Sequence, residues 1–329
     1  MRVLWTHNFD PRIRNSGVFM HEAVDAMRAR GVDLQLEYLG NLRSIPQLLR
    51  ARARIKQLAS EFDLVHAQFG SACALVTAAV RGVPKVLTIQ GSDWNTHQSS
   101  YGYSYFHSRL ATRFTRAAIG DFDCVVSVSR RIAAELTRFA PKALIVVLPS
   151  PIDLTRFIPR DKKKAKALLG HPDCSEKWIL FNALSLSNPV KRFFLAKRSF
   201  ELAQAQHGNL RFRVATDLPH DDLPLFAASC DVILCTSENE GWPNSVKEAL
   251  ACNVPFVSTD VSDLRDIARN EPSCRICPPD PQVIADNICD VLASPEPQDL
   301  RQYVAEMSLD SISDKLIAMY EVVLSRQTR

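Results

Sequence analysis

The segment SENEGWPNSVKEALACNVPFVSTD, residues 237–260, places two glutamates, Glu240 and Glu248, on either side of a Gly-Trp-Pro-Asn break. The residue before a proline is disfavoured in helical conformation, so Trp242 is predicted to be extended, and Pro243 fits the first turn of a helix. Asn253 tolerates the left-handed conformation that ends many helices, and a β-branched run follows it. The segment therefore predicts a loop, a short helix and a buried strand.

The N-terminus of this predicted helix offers unpaired N–H groups and the positive end of the helix dipole, which stabilise a phosphate or diphosphate. Glu240 precedes that terminus, whereas Glu248 lies about one turn inside the helix. Carboxylates would repel the anion, but they accept hydrogen bonds from hydroxyl groups on both sides of it. A nucleotide-sugar has this arrangement of groups. The alternative is that both glutamates are ordinary surface residues.

Outward from this segment, short β-branched runs alternate with helical patterns along the chain, which is typical of βαβ units and parallel sheets. The best boundary is PSPIDLTRFIPRDKKK, residues 149–164, with three prolines and a run of charges. We expect an α/β chain of two Rossmann-like, doubly wound domains, 1–153 and 154–310, which face a central ligand-binding cleft. A C-terminal helix within residues 311–329 is expected to dock on either domain, including the first.

The composition fits an ordinary globular chain: 329 residues, 46% hydrophobic and 23% charged. Charge is distributed unevenly, because residues 1–160 hold 21 Lys+Arg against 12 Asp+Glu, and the remainder hold 19 against 24. The basic half favours acidic partners. Nucleic acid is not an expected partner, since the sequence shows neither an aromatic-basic module nor a zinc pattern.

Several cofactor classes are disfavoured by the motifs. None of the 11 glycines forms G-x-G, and there is no G-x-x-x-x-G-K phosphate loop. The pair Asp121 and Asp123 opens a predicted strand, so a strand-initiating turn is preferred over a metal site. Cys274 and Cys277 have no second Cys or His pair to complete four zinc ligands. We therefore expect neither a metal nor a cofactor.

The segment 237–260 resembles the retaining glycosyltransferases of family 4, which have the two-domain GT-B fold. Their E-x7-E signature matches Glu240 and Glu248 in spacing, and EGWPNSVKEALAC is similar to the branch with E-G-x-P-N-x-x-x-E-A-x-A-C. The resemblance covers nearly the whole chain. It includes FDLVHAQFG (62–70), LTIQGSDW (87–94), IDLTRF (152–157), NPVKR (188–192) and LPLFAASCDVILCTS (223–237).

This resemblance implies a metal-independent hexosyltransferase. It would move a hexose or N-acetylhexosamine from a nucleotide-sugar, such as a UDP-sugar, to a glycan or lipid-linked acceptor in cell-surface polysaccharide or lipopolysaccharide biosynthesis. The implied mechanism is front-face transfer with retention, in which the leaving phosphate helps to deprotonate the acceptor hydroxyl. No protein nucleophile is then required.

The resemblance also assigns roles to residues. Glu240 would contact the donor sugar and Glu248 the ribose, while Lys191 and Arg192 would stabilise the leaving diphosphate. The other implied donor-binding residues are Gly241, Trp242, Asn244, Ser245, Val246 and Gly17, and the implied acceptor-side residues are Gln90, Asp93 and His66. The alternatives are a solvated basic turn at 191–192, a simple turn at Gly17 and a structural role for His66.

The sequence departs from the family pattern at four places. Gln90 stands where the family often has His, and Ala183-Leu184 replaces Gly-Arg, which leaves more phosphate charge to Lys191 and Arg192. Ser262 occupies a common glycine position, and Ser150-Pro151 replaces Asn-Gly. These departures keep one rival open, a non-catalytic nucleotide-sugar-binding partner subunit. The other rival is a GT-B sugar-nucleotide epimerase, which needs acid/base residues in the cleft, and both the E-x7-E spacing and Gln90 count against it.

Residues 43–59 and 101–118 combine apolar or aromatic residues with arginines at helical spacing, as interfacial helices do. An anionic membrane surface is therefore a predicted partner, and the alternative is a helix packed on the sheet with a solvated basic face. The N-terminal residues lack a signal-peptide core, and no apolar run approaches ~20 residues. We expect a cytoplasmic protein that binds peripherally to the inner face of the cytoplasmic membrane.

Overall fold

The computed structural model describes residues 1–12, 16–96, 103–172, 174–216, 218–295, 297 and 299–326, and for residues 103–105 and 107 it describes the backbone alone. The chain divides into two units. The first contains Met1–Pro151 and Leu309–Arg329, and the second contains Ile152–Ser308. Each unit is built on one sheet of parallel strands with intervening helices. The prediction of two Rossmann-like α/β units is confirmed.

The first unit has a six-stranded sheet in the order β2-β1-β3-β4-β5-β6. Its strands are β1 (Arg2–His7), β2 (Asp33–Tyr38), β3 (Leu64–Ala67), β4 (Lys85–Ile89), β5 (Cys124–Ser127) and β6 (Leu144–Val147). The helices between them are α1 (Val18–Ala29), α2 (Ile45–Leu58), α3 (Ser71–Ala78), α4 (Tyr103–Ala118) and α5 (Arg130–Leu136). Strands β3, β4 and β5 are buried at every position, as expected of a parallel sheet with both faces covered.

The second unit has a five-stranded sheet in the order β11-β10-β9-β7-β8. Its strands are β7 (Lys177–Asn182), β8 (Leu210–Ala215), β9 (Val232–Cys235), β10 (Phe256–Thr259) and β11 (Arg275–Cys277). Its helices are α6 (Lys162–Leu168), α7 (Phe193–His207), α8 (Leu223–Ala228), α9 (Asn244–Ala251), α10 (Leu264–Asn270) and α11 (Pro281–Ala293). The strand order reverses direction between β7 and β9, and ligands of such sheets bind at the carboxyl ends beside this point.

The last helix, α12 (Leu309–Ser325), belongs to the first unit. It packs against α1, and five of its buried residues join the core that covers the sheet. The Tyr320 side chain is fully buried, and its hydroxyl accepts a hydrogen bond from Trp5 Nε1 at 2.9 Å. The first unit therefore takes part of its core from a segment that follows the second unit in sequence.

In the described part of the chain, no helix combines the length and the apolar character that crossing a membrane requires.

Candidate active site

The two predicted charged partners of the donor are in direct contact. Lys191 ends a 3-10 turn before α7, and Glu240 lies in the loop after β9. Nζ of Lys191 is 2.6 Å from Oε1 of Glu240, and both side chains are mostly buried. Burial alone would lower the pKa of Lys191, but the adjacent Glu240 carboxylate, with Cys235 and Glu248, outweighs it and raises the pKa. Lys191 is therefore a charged group at the carboxyl end of the sheet.

Hydrogen bonds from the end of β9 hold this pair in position. Ser237 Oγ donates to the same Glu240 Oε1 at 2.6 Å. Thr236 Oγ1 donates to the backbone carbonyls of Lys191 and Arg192, at 2.8 and 3.2 Å. The turn that carries the basic residues is thus fixed to the strand that precedes the glutamate loop.

The break at residues 241–243 and the start of α9 follow the predicted pattern. Pro243 caps the helix in an extended conformation, and Asn253, with φ of 61°, takes the left-handed conformation after its last turn. The Val246 and Lys247 amides donate to the Pro243 carbonyl. Among the described residues, the amides of Asn244 and Ser245 have no hydrogen-bond acceptor. These two N–H groups are available to an anion at the N-terminus of α9.

The residues of the break differ in exposure. Gly241, Trp242 and Val246 are buried, Ser245 is half-buried and Asn244 is exposed. Glu248 is half-buried and lies one turn into α9. The structure thus brings the E-x7-E glutamates, the break and Lys191 to one end of the second sheet, and their roles in donor binding stay predictions.

Ser262 explains one departure from the family pattern. Its φ of 53° lies in the left-handed region, where glycine is favoured because it has no Cβ. The Ser262 hydroxyl donates to the Gly241 carbonyl. The serine thus ties the loop after β10 to the break, which a glycine would not do.

Arg192 also has a left-handed backbone, with φ of 50°, at the N-cap of α7. It lines a pocket of about 490 Å³ at the carboxyl ends of β9, β10 and β11. Arg265 on the pocket wall pairs with Asp260 at 2.8 Å. The pocket therefore presents Arg192 beside the Lys191–Glu240 pair. Its further lining residues are Ser237, Glu238, Thr259, Ile276, Cys277, Pro278 and Pro279.

Lys247 is a residue of this site that sequence reasoning missed. It lies between Val246 and Glu248 on α9, and with 1% exposure it is the most buried lysine of the described residues. Nζ donates to Asn244 Oδ1 at 3.1 Å and lies 5.4 Å from the centre of the Trp242 ring. Burial lowers the pKa of Lys247 to about 7, with partial opposition from Glu248. Nothing in the sequence distinguishes it from an exposed helix lysine.

Gly17, predicted to approach the phosphates, lies in the first unit at the N-cap of α1. Its φ is 73°, and a Cβ at this position would lie 3.1 Å from Phe9. The backbone and Phe9 together therefore require glycine here. Its role toward phosphate stays a prediction.

Asp93 and Gln90 form a closed loop after β4. The buried carboxylate of Asp93 accepts hydrogen bonds from the amides of Gly70, Gln90 and Gly91, at 2.7 to 3.2 Å. Burial raises the pKa of Asp93, and these hydrogen bonds oppose the shift. Gln90 Oε1 accepts from Ser150 Oγ at 3.1 Å. Asp93 thus organises the loop that carries Gln90, and the acceptor-side role of both residues stays a prediction.

His66 is fully enclosed in the first unit. Its Nδ1 is 2.5 Å from the Tyr320 hydroxyl, and its Nε2 is 2.7 Å from Thr88 Oγ1. Burial lowers the pKa of His66 to about 3, so the ring is neutral at physiological pH. Both ring nitrogens are occupied by these contacts, which favours the structural interpretation of this residue.

His66 and Gln90 line one narrow pocket of about 30 Å³ at the carboxyl ends of the first sheet. Among the described residues that line it, none is Asp, Glu, Lys or Arg, and Gln68, Thr88 and Ser150 supply further polar groups. The structure therefore brings two of the three predicted acceptor-side residues together in an uncharged pocket, while their role stays a prediction.

The Asp121/Asp123 and Cys274/Cys277 motifs lie at the ends of strands. Asp121 ends a 3-10 turn, and Asp123 Oδ2 accepts from the Lys85 amide at 2.8 Å, where β4 and β5 begin. This is the predicted strand-initiating turn. Cys274 and Cys277 are buried free thiols; Cys274 directly precedes β11 and Cys277 is its last residue. Among the described residues, no three His, Cys, Asp or Glu side chains are grouped as metal ligands would be.

Comparison with known families covers both units. Residues 3–156 match the family described as Glycosyltransferase Family 4, and residues 195–307 match the family described as Glycosyl transferases group 1. These matches indicate a glycosyltransferase of the GT-B fold. The second match contains Glu240 and Glu248, although it does not test the E-x7-E assignment itself.

One relative of this chain is TuaC of Bacillus subtilis (strain 168), whose name describes a teichuronic acid biosynthesis glycosyltransferase. The two sequences are 28% identical over 246 residues, which are 69% of this chain and 60% of TuaC. The chain thus spans about three fifths of the length of that relative.

Solved structures agree with the fold. Sucrose-phosphate synthase from Thermosynechococcus elongatus is 15% identical, with a TM-score of 0.78 over 99% of this chain and 100% of that one. HepE from Anabaena, solved in complex with UDP-glucose, is also 15% identical, with a TM-score of 0.68 over 98% and 100%. At this level of identity the likeness shows the GT-B fold alone.

Proposed function

We propose that the protein is a retaining, metal-independent hexosyltransferase of family 4. It transfers a hexose or N-acetylhexosamine from a nucleotide-sugar to a glycan or lipid-linked acceptor in cell-surface polysaccharide or lipopolysaccharide biosynthesis. The names of TuaC and of the HepE complex support a polysaccharide product and a UDP-sugar donor. The second unit binds the donor, and the basic first unit binds the acceptor.

The observation that carries this proposal is the contact of Lys191 with Glu240 beside the start of α9. A cation, a hydroxyl-binding carboxylate and the unpaired amides of Asn244 and Ser245 meet at one end of the sheet. A diphosphate needs the cation and the amides, and the adjoining sugar needs the carboxylate. A nucleotide-sugar satisfies all three groups at once.

In this mechanism, the protein contributes electrostatic stabilisation and positioning. Lys191 and Arg192 stabilise the negative charge that develops on the leaving diphosphate. Glu240 fixes the sugar through its hydroxyls, and Glu248 fixes the ribose. The leaving phosphate accepts the proton of the acceptor hydroxyl, so neither glutamate acts as a nucleophile.

An anionic membrane surface is the proposed partner of the first unit. Helices α2 and α4 both pack against α3, and each exposes an apolar pair one turn apart. The pair on α2 is Ile45 and Leu49, and the exposed fraction of Ile45 is 77%. The pair on α4 is Phe106 and Leu110, and the exposed fraction of Phe106 is 70%. Exposed arginines, among them Arg50 and Arg54, accompany the α2 pair. Tyr101 and Gly102 of the predicted segment lie outside the described residues.

Incubation with UDP-, GDP- and ADP-sugars tests the function. We expect slow release of free nucleotide from one donor, stimulated by an acceptor extract, and loss of release in Glu240→Gln. The anomeric configuration of the product, read from its NMR coupling constants, tests retention, and activity in excess EDTA tests metal independence.

Tight binding without turnover for every donor and acceptor would support a binding subunit instead. Conversion of the donor to an epimeric nucleotide-sugar, without transfer, would support an epimerase.

A further inference from the structure

A buried ammonium group lies directly behind the break that precedes α9. Lys247 lies in the first turn of α9, and only 1% of its surface is exposed. A lysine is rarely buried to this extent unless specific interactions compensate for the desolvation of its charge. The described residues hold only two other buried lysines, Lys85 and Lys166.

The contacts of Lys247 lead back to the break. Nζ donates to the side-chain oxygen of Asn244 at 3.1 Å, and it lies within cation–π distance of Trp242. Asn244 and Trp242 flank Pro243, and the free amide of Asn244 lies at the helix N-terminus. Loss of the ammonium group would therefore release the side chains that fix the orientation of this amide.

We propose that Lys247 is a positioning residue of the donor site, which fixes the Trp242–Asn244 break from behind and places a positive charge beneath the donor diphosphate. This inference rests on the proposed function, because it assigns Lys247 to the same site. The proposal gives the site a third basic residue in addition to Lys191 and Arg192. Lys247 lies buried on α9, whereas the other two lie in the turn before α7.

The charge of Lys247 should respond to the donor. In the free protein the pKa of Lys247 is about 7, because burial disfavours the ammonium form. A diphosphate near the start of α9 favours that form and raises the pKa. Above pH 7, Lys247 then takes up a proton when the donor binds, and the affinity for the donor falls as the pH rises. A rise of one pKa unit would give up to about tenfold weaker binding at high pH.

Among the described residues, the elements that pack against α9 bring few other titratable groups toward it. Helix α8 and strand β10 carry none, and β9 ends in Cys235, whose pKa is raised by burial so that its thiol stays neutral. Lys191 has a raised pKa and stays charged. Glu248 lies beside Lys247 on α9. The 3-10 turn Arg301–Tyr303 contributes Arg301, which donates to the Ala251 carbonyl, and Tyr303, whose pKa is raised by burial.

The test is calorimetric titration of the full chain with UDP-glucose between pH 6.5 and 8.5, in two buffers of different ionisation enthalpy. UDP-glucose is chosen because its diphosphate is doubly esterified and lacks the ionisation near pH 6 of a terminal phosphate. We expect the wild type to take up a proton above pH 7 and to lose affinity with rising pH.

Two variants separate charge from packing. Lys247→Met keeps the length of the side chain without its charge, and we expect at least tenfold weaker binding with no pH dependence. Lys247→Arg keeps a permanent charge, and we expect binding that stays independent of pH. Lys166→Met is the matched control, since Lys166 is a buried lysine of the same unit that pairs with Asp231 at 3.0 Å.

Two outcomes would overturn the inference: wild-type binding without proton uptake, and equal pH profiles for the wild type and Lys247→Arg. Both can be measured even if Lys247→Met fails to fold. If the wild type binds UDP-glucose as described but transfers no sugar, the proposed activity fails and the role of Lys247 in nucleotide binding stands. If it binds no nucleotide-sugar from the UDP, GDP and ADP panel, both proposals are wrong.

Discussion

Nζ of Lys191 and Ser237 Oγ both contact the same oxygen of Glu240, Oε1, at 2.6 Å. The second oxygen, Oε2, accepts no hydrogen bond from a described side chain. One half of the carboxylate is thus used to position it, while the other half can accept a hydroxyl. This division agrees with a residue that orients a sugar rather than one that attacks it.

Glu240→Gln should therefore lower turnover more than affinity. The amide keeps the shape of the side chain but weakens the contacts to Lys191 and to the sugar, and we expect kcat to fall about 10²-fold. Affinity for the free nucleotide should change less than threefold, because the nucleotide lacks the sugar. Steady-state kinetics and calorimetry measure the two effects. Glu201→Gln, at an exposed helix position, is the control. Equal losses in turnover and nucleotide affinity would contradict the assignment.

Glu248→Ala should show the opposite pattern. If Glu248 accepts hydrogen bonds from the ribose hydroxyls, their loss should weaken nucleotide binding by about 1.5–3 kcal/mol, which corresponds to about 10- to 150-fold. At saturating donor, kcat should fall less than fivefold. The measurement is nucleotide titration followed by kinetics at high donor concentration. Unchanged nucleotide affinity would show that Glu248 is an ordinary helix glutamate.

Tyr320→Phe should destabilise the first unit without changing donor binding. The variant removes the hydroxyl that joins Trp5 and His66 and leaves two buried polar groups unpaired, at a cost of about 1–3 kcal/mol. Thermal unfolding followed by near-ultraviolet circular dichroism measures this loss. Tyr303→Phe, in the second unit, is the control. An unfolding temperature equal to that of the wild type would show that the buried network contributes no stability.

The exposed apolar pair on α2, Ile45 and Leu49, is expected to contribute to binding of anionic vesicles. Ile45→Glu with Leu49→Glu should weaken binding to anionic vesicles at least tenfold, through lost apolar burial and added repulsion. Wild-type binding should fall as salt is raised from 50 to 500 mM. Vesicle flotation measures both effects. Leu168→Glu, at an exposed apolar position of the second unit, is the control. Salt-independent wild-type binding, or none at low salt, would exclude the electrostatic interaction.

The sequence predicts most of the fold because local signals set it. Pro243 and Asn253 mark the two ends of α9, and the β-branched runs mark the buried strands. The three-residue strand β11 is too short to give a periodic pattern. No local pattern shows that a single polar residue is buried, so the docking of α12 and the enclosure of Tyr320 depend on tertiary packing.

Within the candidate site, the spacing of Glu240 and Glu248 is visible in the sequence, but their partners are not. The contact of Lys191 with Glu240 joins residues 49 positions apart, and the amides that surround Asp93 come from two separate loops. Lysine is a residue type that normally lies at the surface, but Lys247 is buried in the core. Such contacts depend on how β7 and β9 are paired, which no local pattern specifies.

The contribution of α12 has a consequence for biosynthesis. The hydrogen bond between Trp5 and Tyr320 joins residues 315 positions apart. As the chain emerges from the ribosome, the second unit is continuous from residue 152 to 308 and can fold as soon as it is exposed. Residues 1–151 are translated before the second unit, but the core of the first unit is complete only after α12 has been synthesised. The first unit therefore completes its folding after the second unit is already able to fold.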